Sequence, residues 1–229
     1  GSSSSFTVGL LNSLYALKGV MPTKERLAKE AIYIEQEMCR DNVGCQDQVL
    51  AAYGGFNFIE FGGSNHLQVR RVTFRSDKIK KLEKHLMLFF TGFARMASEI
   101  AAHQIRNIPK KTAELKTMHQ MAYQAIDILN ANDILAFGKL LDESWKLKRS
   151  LSDKISTPFV DDMYGTAKRA GAVGGKLLGA GGGGFLLLCV PPARQKSVRE
   201  KLKKSLLIPF KFEDLGSQII FYQPYSGKV

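Results

Sequence analysis

Cysteine is scarce in this chain of 229 residues: Cys39, Cys45 and Cys189 are all there is. They form no CxxC pair and leave one thiol over in any pairing scheme. That excludes a disulfide framework and a zinc site, and it fits reduced thiols in a cytoplasmic protein. Long apolar runs are missing as well. The longest, Gly184 to Pro191, falls far short of the roughly 20 residues that cross a bilayer, and no charged-then-apolar leader opens the chain. Acidic residues are in deficit, 21 Asp+Glu against 33 Lys+Arg, for a net charge of +12. The surplus suits an anionic partner such as nucleic acid, a membrane surface or a phosphorylated metabolite. The basic residues are scattered, however, with no aromatic-basic RNA signature and no recognition helix. An ordinary solvated surface accounts for them, and neither nucleic acid nor a membrane is expected as a partner.

What is present is an ordinary globular composition, 45% apolar and 24% charged. A disordered chain could not bury that much apolar side chain. The length suits one large or two small domains. The polar stretch Arg75 to Lys84 places a boundary near residue 76, giving domains 1–76 and 77–229.

Phe6, Leu10, Leu14 and Leu17 recur at helical spacing, and Val8, Leu11 and Tyr15 add a second stripe, so the pattern predicts a helix buried on two faces. Gly19 is its natural C-cap and Pro22 blocks its continuation. Thr23 caps a second helix with apolar positions Leu27, Ala31, Ile34 and Met38. A loop, Arg40 to Gln48, leads to Gly54-Gly55. Phe56 to Phe61 alternates as a strand, Gly62 to Asn65 is a turn, and Leu67 to Phe74 returns extended. Leu86 to Phe90 is the pattern of a buried strand. Helices are expected over Ala94 to Ile105, through Leu115, Met118, Ala122, Ala125 and Leu129, and over Ile134 to Lys148 and Val160 to Ala170. The strand Phe185 to Val190, a basic helix Arg194 to Leu206 and a strand around Ile219 to Tyr222 complete the chain. Helices and strands interleave without a regular repeat, which is α+β.

Three clusters carry chemistry. Gly1-Ser2-Ser3-Ser4-Ser5 stands at the mouth of the first helix, where free N–H groups and the positive dipole end suit an anion. A hydroxyl there can also ligate magnesium carried by a triphosphate. A Gly-Ser run is equally common as the leftover of a purification tag, and the residues alone leave both open. Glu35, Glu37 and Asp47 form the second cluster, a helix end and a Gly-containing loop. An alcohol kinase needs a carboxylate beside the attacking hydroxyl and oxygen ligands for magnesium, although a solvated helix face with a turn Asp has the same pattern. Five glycines in Gly179-Ala180-Gly181-Gly182-Gly183-Gly184 form the third. So many imply close approach or unusual dihedrals, as in a loop packed on a phosphate or nucleotide.

Gly1 to Gly9, Gly44-Cys45-Gln46-Asp47-Gln48 and Lys176 to Phe185, in that order, resemble the three motifs of the GHMP kinases. Ile34-Glu35, Ala51-Ala52-Tyr53-Gly54-Gly55, Thr91-Gly92-Phe93-Ala94-Arg95 and Trp145-Lys146-Leu147-Lys148 are similar to the branch acting on D-glycero-D-manno-heptose 7-phosphate. The resemblance implies a remnant of a ribosomal-protein-S5-like domain followed by a ferredoxin-like domain, and ATP and Mg2+ as cofactors. Gly1, Ser2, Ser3 and Ser4 would cradle the phosphates, with Ser3 and Glu35 on the metal and Glu37 as the alternative to Glu35. Asp47 would orient or deprotonate the sugar hydroxyl. Gly179, Gly181 and Gly182 would pack near the nucleotide, with Gly183 and Arg95 on the phosphorylated sugar. Arg70 and Arg71 are further candidates, of which strand alternation lets one face inward. The family's leading strands and its Pro-x-Gly-x-Gly-Leu entry are not in this sequence. The chain is therefore expected to be the C-terminal part of a kinase that needs an upstream segment. Another small-molecule kinase, for L-fucose or galactose, and a non-catalytic sugar sensor are the rival readings.

Overall fold

The computed structural model describes residues 1–62, 66–92 and 97–223. The chain forms two compact units, Gly1–Val72 together with Phe212–Val229, and Thr73–Lys211. The first boundary lies four residues before the expected one. The tail from Phe212 joins the first unit, where the sequence pattern had left it in the second.

The first unit opens with α1 (Ser2–Leu17), which ends as its glycine requires: Gly19 takes φ +67° and Val20 N–H reaches back to the Tyr15 carbonyl. Thr23 Oγ1 accepts from the Arg26 amide and starts α2 (Lys24–Tyr33), whose last turns widen into a π-helical segment, Ile34–Met38. Next come α3 (Gln46–Tyr53) and the antiparallel hairpin of β1 (Asn57–Phe61) and β2 (Leu67–Arg71). Val8, Leu27, Ala28, Ala31, Val49 and Ala52 form the core, with Leu11, Tyr15, Ile59 and Val69 packed on it.

Only one stripe of α1 is covered. Val8 is fully buried, whereas Phe6, Leu10, Leu14 and Leu17 are exposed, Leu17 to 82%. The expectation of a helix buried on both faces is corrected accordingly. The loop expected up to Gln48 also gives way, because α3 already begins at Gln46 and puts Asp47 in its first turn.

Residues 212–223 are irregular. No strand forms at Ile219 to Tyr222, and the tail is tied down by backbone bonds of Gly55 to Glu213 and of Ser217 to Ala51. Lys24 Nζ adds a clamp on the carbonyls of Tyr53 and Leu215. Gly54, at φ +61°, makes this packing possible, since a Cβ there would stand 2.0 Å from the Gly216 nitrogen.

The second unit runs α4 (Ser76–His85), β3 (Leu86–Phe90), α5 (Ala97–Asn107), α6 (Thr112–Asn130), α7 (Ile134–Ser150), α8 (Pro158–Arg169), β4 (Gly174–Leu177), β5 (Phe185–Cys189), α9 (Pro192–Lys201) and β6 (Leu206–Ile208). All strand pairs are antiparallel, in the order β4-β5-β3-β6. Read from β3, this is the β-α-β-β-α-β arrangement of the ferredoxin-like fold, so the α+β class holds. Leu86 to Phe90 is a strand as expected. Neither β4, with two glycines, nor the short β6 was anticipated. Trp145, Phe89, Leu177, Leu186, Leu188 and Val160 fill the core between sheet and helices.

Burial pushes the Cys189 thiol up to about 11, whereas Cys39 is exposed. A thiol reagent at pH 8 should therefore modify Cys39 in the folded protein and leave Cys189 untouched until denaturant is added. Mass analysis of the labelled peptides, before and after unfolding, checks this.

Candidate functional site

Glu35 lies in the π-helical segment, held by the bond from the Cys39 amide to the Ile34 carbonyl at 2.8 Å. Wide turns of this kind re-aim single side chains and recur at functional sites. The Glu35 carboxylate is 3% exposed and collects three donors. Its Oε2 accepts from Ser4 Oγ at 2.9 Å and from Gln48 Nε2, and its Oε1 accepts from Thr7 Oγ1 at 3.2 Å. Thr7 Oγ1 also lies 3.0 Å from the Ser3 carbonyl. Glu37, two positions on, points elsewhere: it is exposed and lines a separate cavity of about 410 Å³ with Lys29, Tyr33, Gln36 and Cys45. Of the two carboxylates, burial and bonding single out Glu35.

The serine run lies within the helix. It is the first turn of α1 itself, with Gly1 at the N-cap, no side-chain cap and no acidic residue in that turn. Ser4 is buried on the face toward Glu35, while Ser2 and Ser3 are exposed. It is Ser4, not Ser3, whose hydroxyl meets the Glu35 carboxylate directly. At 100° per residue, Ser4 and Val8 share the packed face, and Ser3 is turned away from it.

Asp47, in the first turn of α3, is favoured there by the positive end of the helix. Its Oδ2 is 3.1 Å from the Gly1 nitrogen, and a Cβ on Gly1 would come within 3.3 Å of the same oxygen. The first unit thus brings together Gly1 with Asp47, and Ser4 and Thr7 with Glu35 and Gln48. Sequence reasoning gave Thr7 and Gln48 no role. Both sit inside motifs already singled out, and their polar side chains on otherwise packed faces were the available signal.

In the second unit, Gly179, Gly181, Gly182, Gly183 and Gly184 all take positive φ, from +73° at Gly182 to +158° at Gly183. The loop's carbonyls are held by side chains: Lys148 Nζ donates to Gly179 and Gln104 Nε2 donates to Ala180 at 2.6 Å. Gly182 N–H donates to the Ile155 carbonyl, and Gly184 N–H to Thr91 Oγ1. Successive positive φ values give the loop a backbone path that residues with a Cβ rarely adopt, which accounts for its run of glycines. Lys176, leading into the loop, is pushed below the ordinary lysine range by burial, with Ser144 Oγ at 3.4 Å. Arg95 lies outside the described residues. Arg70 and Arg71 are exposed, the first paired with Glu60 and the second with Asp214.

Set against known proteins, residues 1–55 match the GHMP kinases N terminal domain and residues 123–207 match the GHMP kinases C terminal family. The D-glycero-alpha-D-manno-heptose 7-phosphate kinase of Campylobacter jejuni is 31% identical over 207 residues, covering 89% of this chain and 61% of that protein. A crystal structure of a D-glycero-D-manno-heptose 1-phosphate kinase from Bacteroides thetaiotaomicron superposes with a TM-score of 0.72 at 25% identity. It covers 93% of this chain and 60% of the other. A putative sugar kinase from Campylobacter jejuni gives 0.72 at 29% identity, over 94% and 63%. The chain belongs to the GHMP kinases, and it spans about three-fifths of the length of the heptose kinase it matches.

The donor set around Glu35 fits the magnesium ion such kinases use. It offers oxygen ligands, one carboxylate and the Ser4 and Thr7 hydroxyls, and Mg2+ is commonly held by one or two carboxylates together with substrate phosphates. Among the described residues no cluster of three or more His, Cys, Asp or Glu could hold a metal unaided. No described helix is long and apolar enough to cross a membrane.

The loop's dependence on glycine is testable. A Cβ at Gly181, whose φ is +127°, would lie 2.8 Å from both Cα and O of Ile155. Gly181→Ala should therefore displace the loop and cost about 1–3 kcal/mol, read as a lower melting temperature. A melt matching the parent would show that the loop yields freely.

Proposed function

We propose that this chain is the larger part of an ATP-dependent sugar kinase that phosphorylates the anomeric hydroxyl of a phosphorylated sugar, D-glycero-D-manno-heptose 7-phosphate. The observation that carries the reading is the buried Glu35 carboxylate, gathered to the first turn of α1 beside Asp47. In this reading the amides of Gly1, Ser2, Ser3 and Ser4 bind the triphosphate at the positive end of α1. Glu35 holds the magnesium, with a hydroxyl from Ser3 or Ser4. The metal neutralises charge on the transferring phosphoryl group. Asp47 accepts a hydrogen bond from the sugar hydroxyl. It orients that oxygen and takes its proton or offsets its charge as the new O–P bond forms and the β–γ bridge breaks. Gly179, Gly181 and Gly182 pack near the nucleotide, and Gly183 approaches the sugar. Arg95 supplies a fixed cation for the phosphate the sugar already carries, a task for which a planar guanidinium is suited. The unpaired thiols and the ATP donor agree with a cytoplasmic reaction.

Turnover in the intact protein tests this. Asp47→Asn should lower kcat by orders of magnitude with ATP binding nearly unchanged, and the parent should use the heptose 7-phosphate far better than free L-fucose or galactose. Near-normal turnover by Asp47→Asn removes that residue from the mechanism. Equal or better kcat/KM on a free sugar replaces the heptose reading with that of another GHMP sugar kinase.

We also propose that the exposed stripe Phe6, Leu10, Leu14 and Leu17 is covered by further polypeptide of the same protein. Supporting this, part of the heptose kinase's length lies outside the match. Apolar surface left in water forgoes about 25 cal/mol per Å². The 229 residues alone should bind a hydrophobic dye and melt broadly. A cooperative melt with tight ATP binding overturns the proposal.

A further inference from the structure

Gln48 is fully buried, yet it is polar and only half satisfied. Its Nε2 donates to Glu35 Oε2, while its Oε1 is one of the few buried side-chain oxygens among the described residues with no hydrogen-bond partner. An apolar side chain of the same length would fill that volume without the roughly 1–3 kcal/mol that an unpaired buried acceptor costs. The cost therefore calls for a reason.

The network around it supplies one. Ser4 and Thr7 come from α1, and Glu35 from the π-helical segment. Gln48 is the sole donor from α3 on the carboxylate, one residue after Asp47. The α1 hydroxyls take one carboxylate oxygen each, Ser4 on Oε2 and Thr7 on Oε1, and hold Glu35 to the serine turn. The amide from α3 adds a second bond on Oε2 and ties Glu35 to the helix that carries Asp47.

We propose that Gln48 is a positioning residue of the cation site. Its Nε2 fixes the Glu35 carboxylate, and its open Oε1 is the acceptor for a water on the hydrated magnesium, which can only donate. This inference rests on the function proposed above. A residue merely packing the core would affect stability alone. A positioning residue affects the metal while leaving stability little changed.

The test compares the intact parent with Gln48→Met, which keeps length and volume but has neither donor nor carbonyl, and with Glu35→Gln. Free Mn2+ is followed by electron paramagnetic resonance in the presence of a non-hydrolysable ATP analogue, and each protein is melted without metal or nucleotide. Gln48→Met should melt within a few degrees of the parent, bind the metal-free analogue equally and bind Mn2+ at least tenfold more weakly. Should Gln48→Met fail to fold, Gln48→Asn keeps the amide one methylene short and should weaken Mn2+ binding in the same direction. Mn2+ affinity within twofold of the parent in the folded variant overturns the role of Gln48. If Glu35→Gln weakens Mn2+ binding while Gln48→Met does not, the cation site stands and only the positioning role falls. A parent that binds no Mn2+ with the analogue overturns the proposed function and this inference with it.

Discussion

One buried carboxylate organises the first unit. Taking a lone carboxylate out of water costs several kcal/mol unless hydrogen bonds replace its hydration. Glu35 meets that demand with donors from two helices, and the sequence of each helix bends to it. The packed face of α1 carries Ser4 and Asn12 on either side of Val8, polar residues where a plain core helix would have leucine. Asn12 Nδ2 is satisfied by Ser217 Oγ at 3.1 Å, which ties the tail to the same helix. The widened turn after α2 is what lets Glu35 point inward while Glu37 stays in solvent.

The second unit meets a different constraint. A chain of left-handed glycines has little reason to hold one shape, because each gives up more entropy on ordering than any other residue. Here the order is imposed from outside the loop, by Lys148, Gln104, Thr91 and the Ile155 carbonyl. The charge distribution points the same way. Residues 73–211 carry 25 of the Lys and Arg against 12 Asp and Glu, while the other unit has 8 against 9. The basic surplus belongs wholly to the unit with the glycine loop, and an anionic ligand is favoured there at long range.

How far the sequence could be read depended on what each residue must do. Gly19, Thr23 and the glycines of 179–184 were legible, since a C-cap, an N-cap and a left-handed loop each admit few residue types. The run Leu86 to Phe90 was legible because a fully buried strand leaves a continuous apolar signature. Asp47 and Glu35 were legible as motif members, but not their local settings. Nothing in Arg40 to Gln48 signals that helix begins at Gln46, since its cap position is Cys45, which offers no side-chain bond. β4 escaped because Gly174-Gly175 reads as a breaker. Those glycines are needed where α7 crosses closely, and a Cβ at Gly174 would stand 1.9 Å from the Gly138 carbonyl oxygen.

The choice of Ser4 as the hydroxyl beside Glu35 has the same origin. Four successive serines offer identical chemistry, so composition cannot choose among them. The choice is made by helix phase, and the phase of α1 is set by Val8 seated in the core. Val8 and Ser4 are one turn apart, so whatever fixes Val8 fixes which hydroxyl faces the carboxylate and which serines remain exposed at the helix mouth. The hydrophobic packing of the first unit and the polar chemistry at its edge are therefore not separate features. A shift of α1 by one residue would exchange Ser4 for a neighbouring serine, but it would drive Val8 out of its place in the core. That penalty, not any difference among the serines, selects the arrangement.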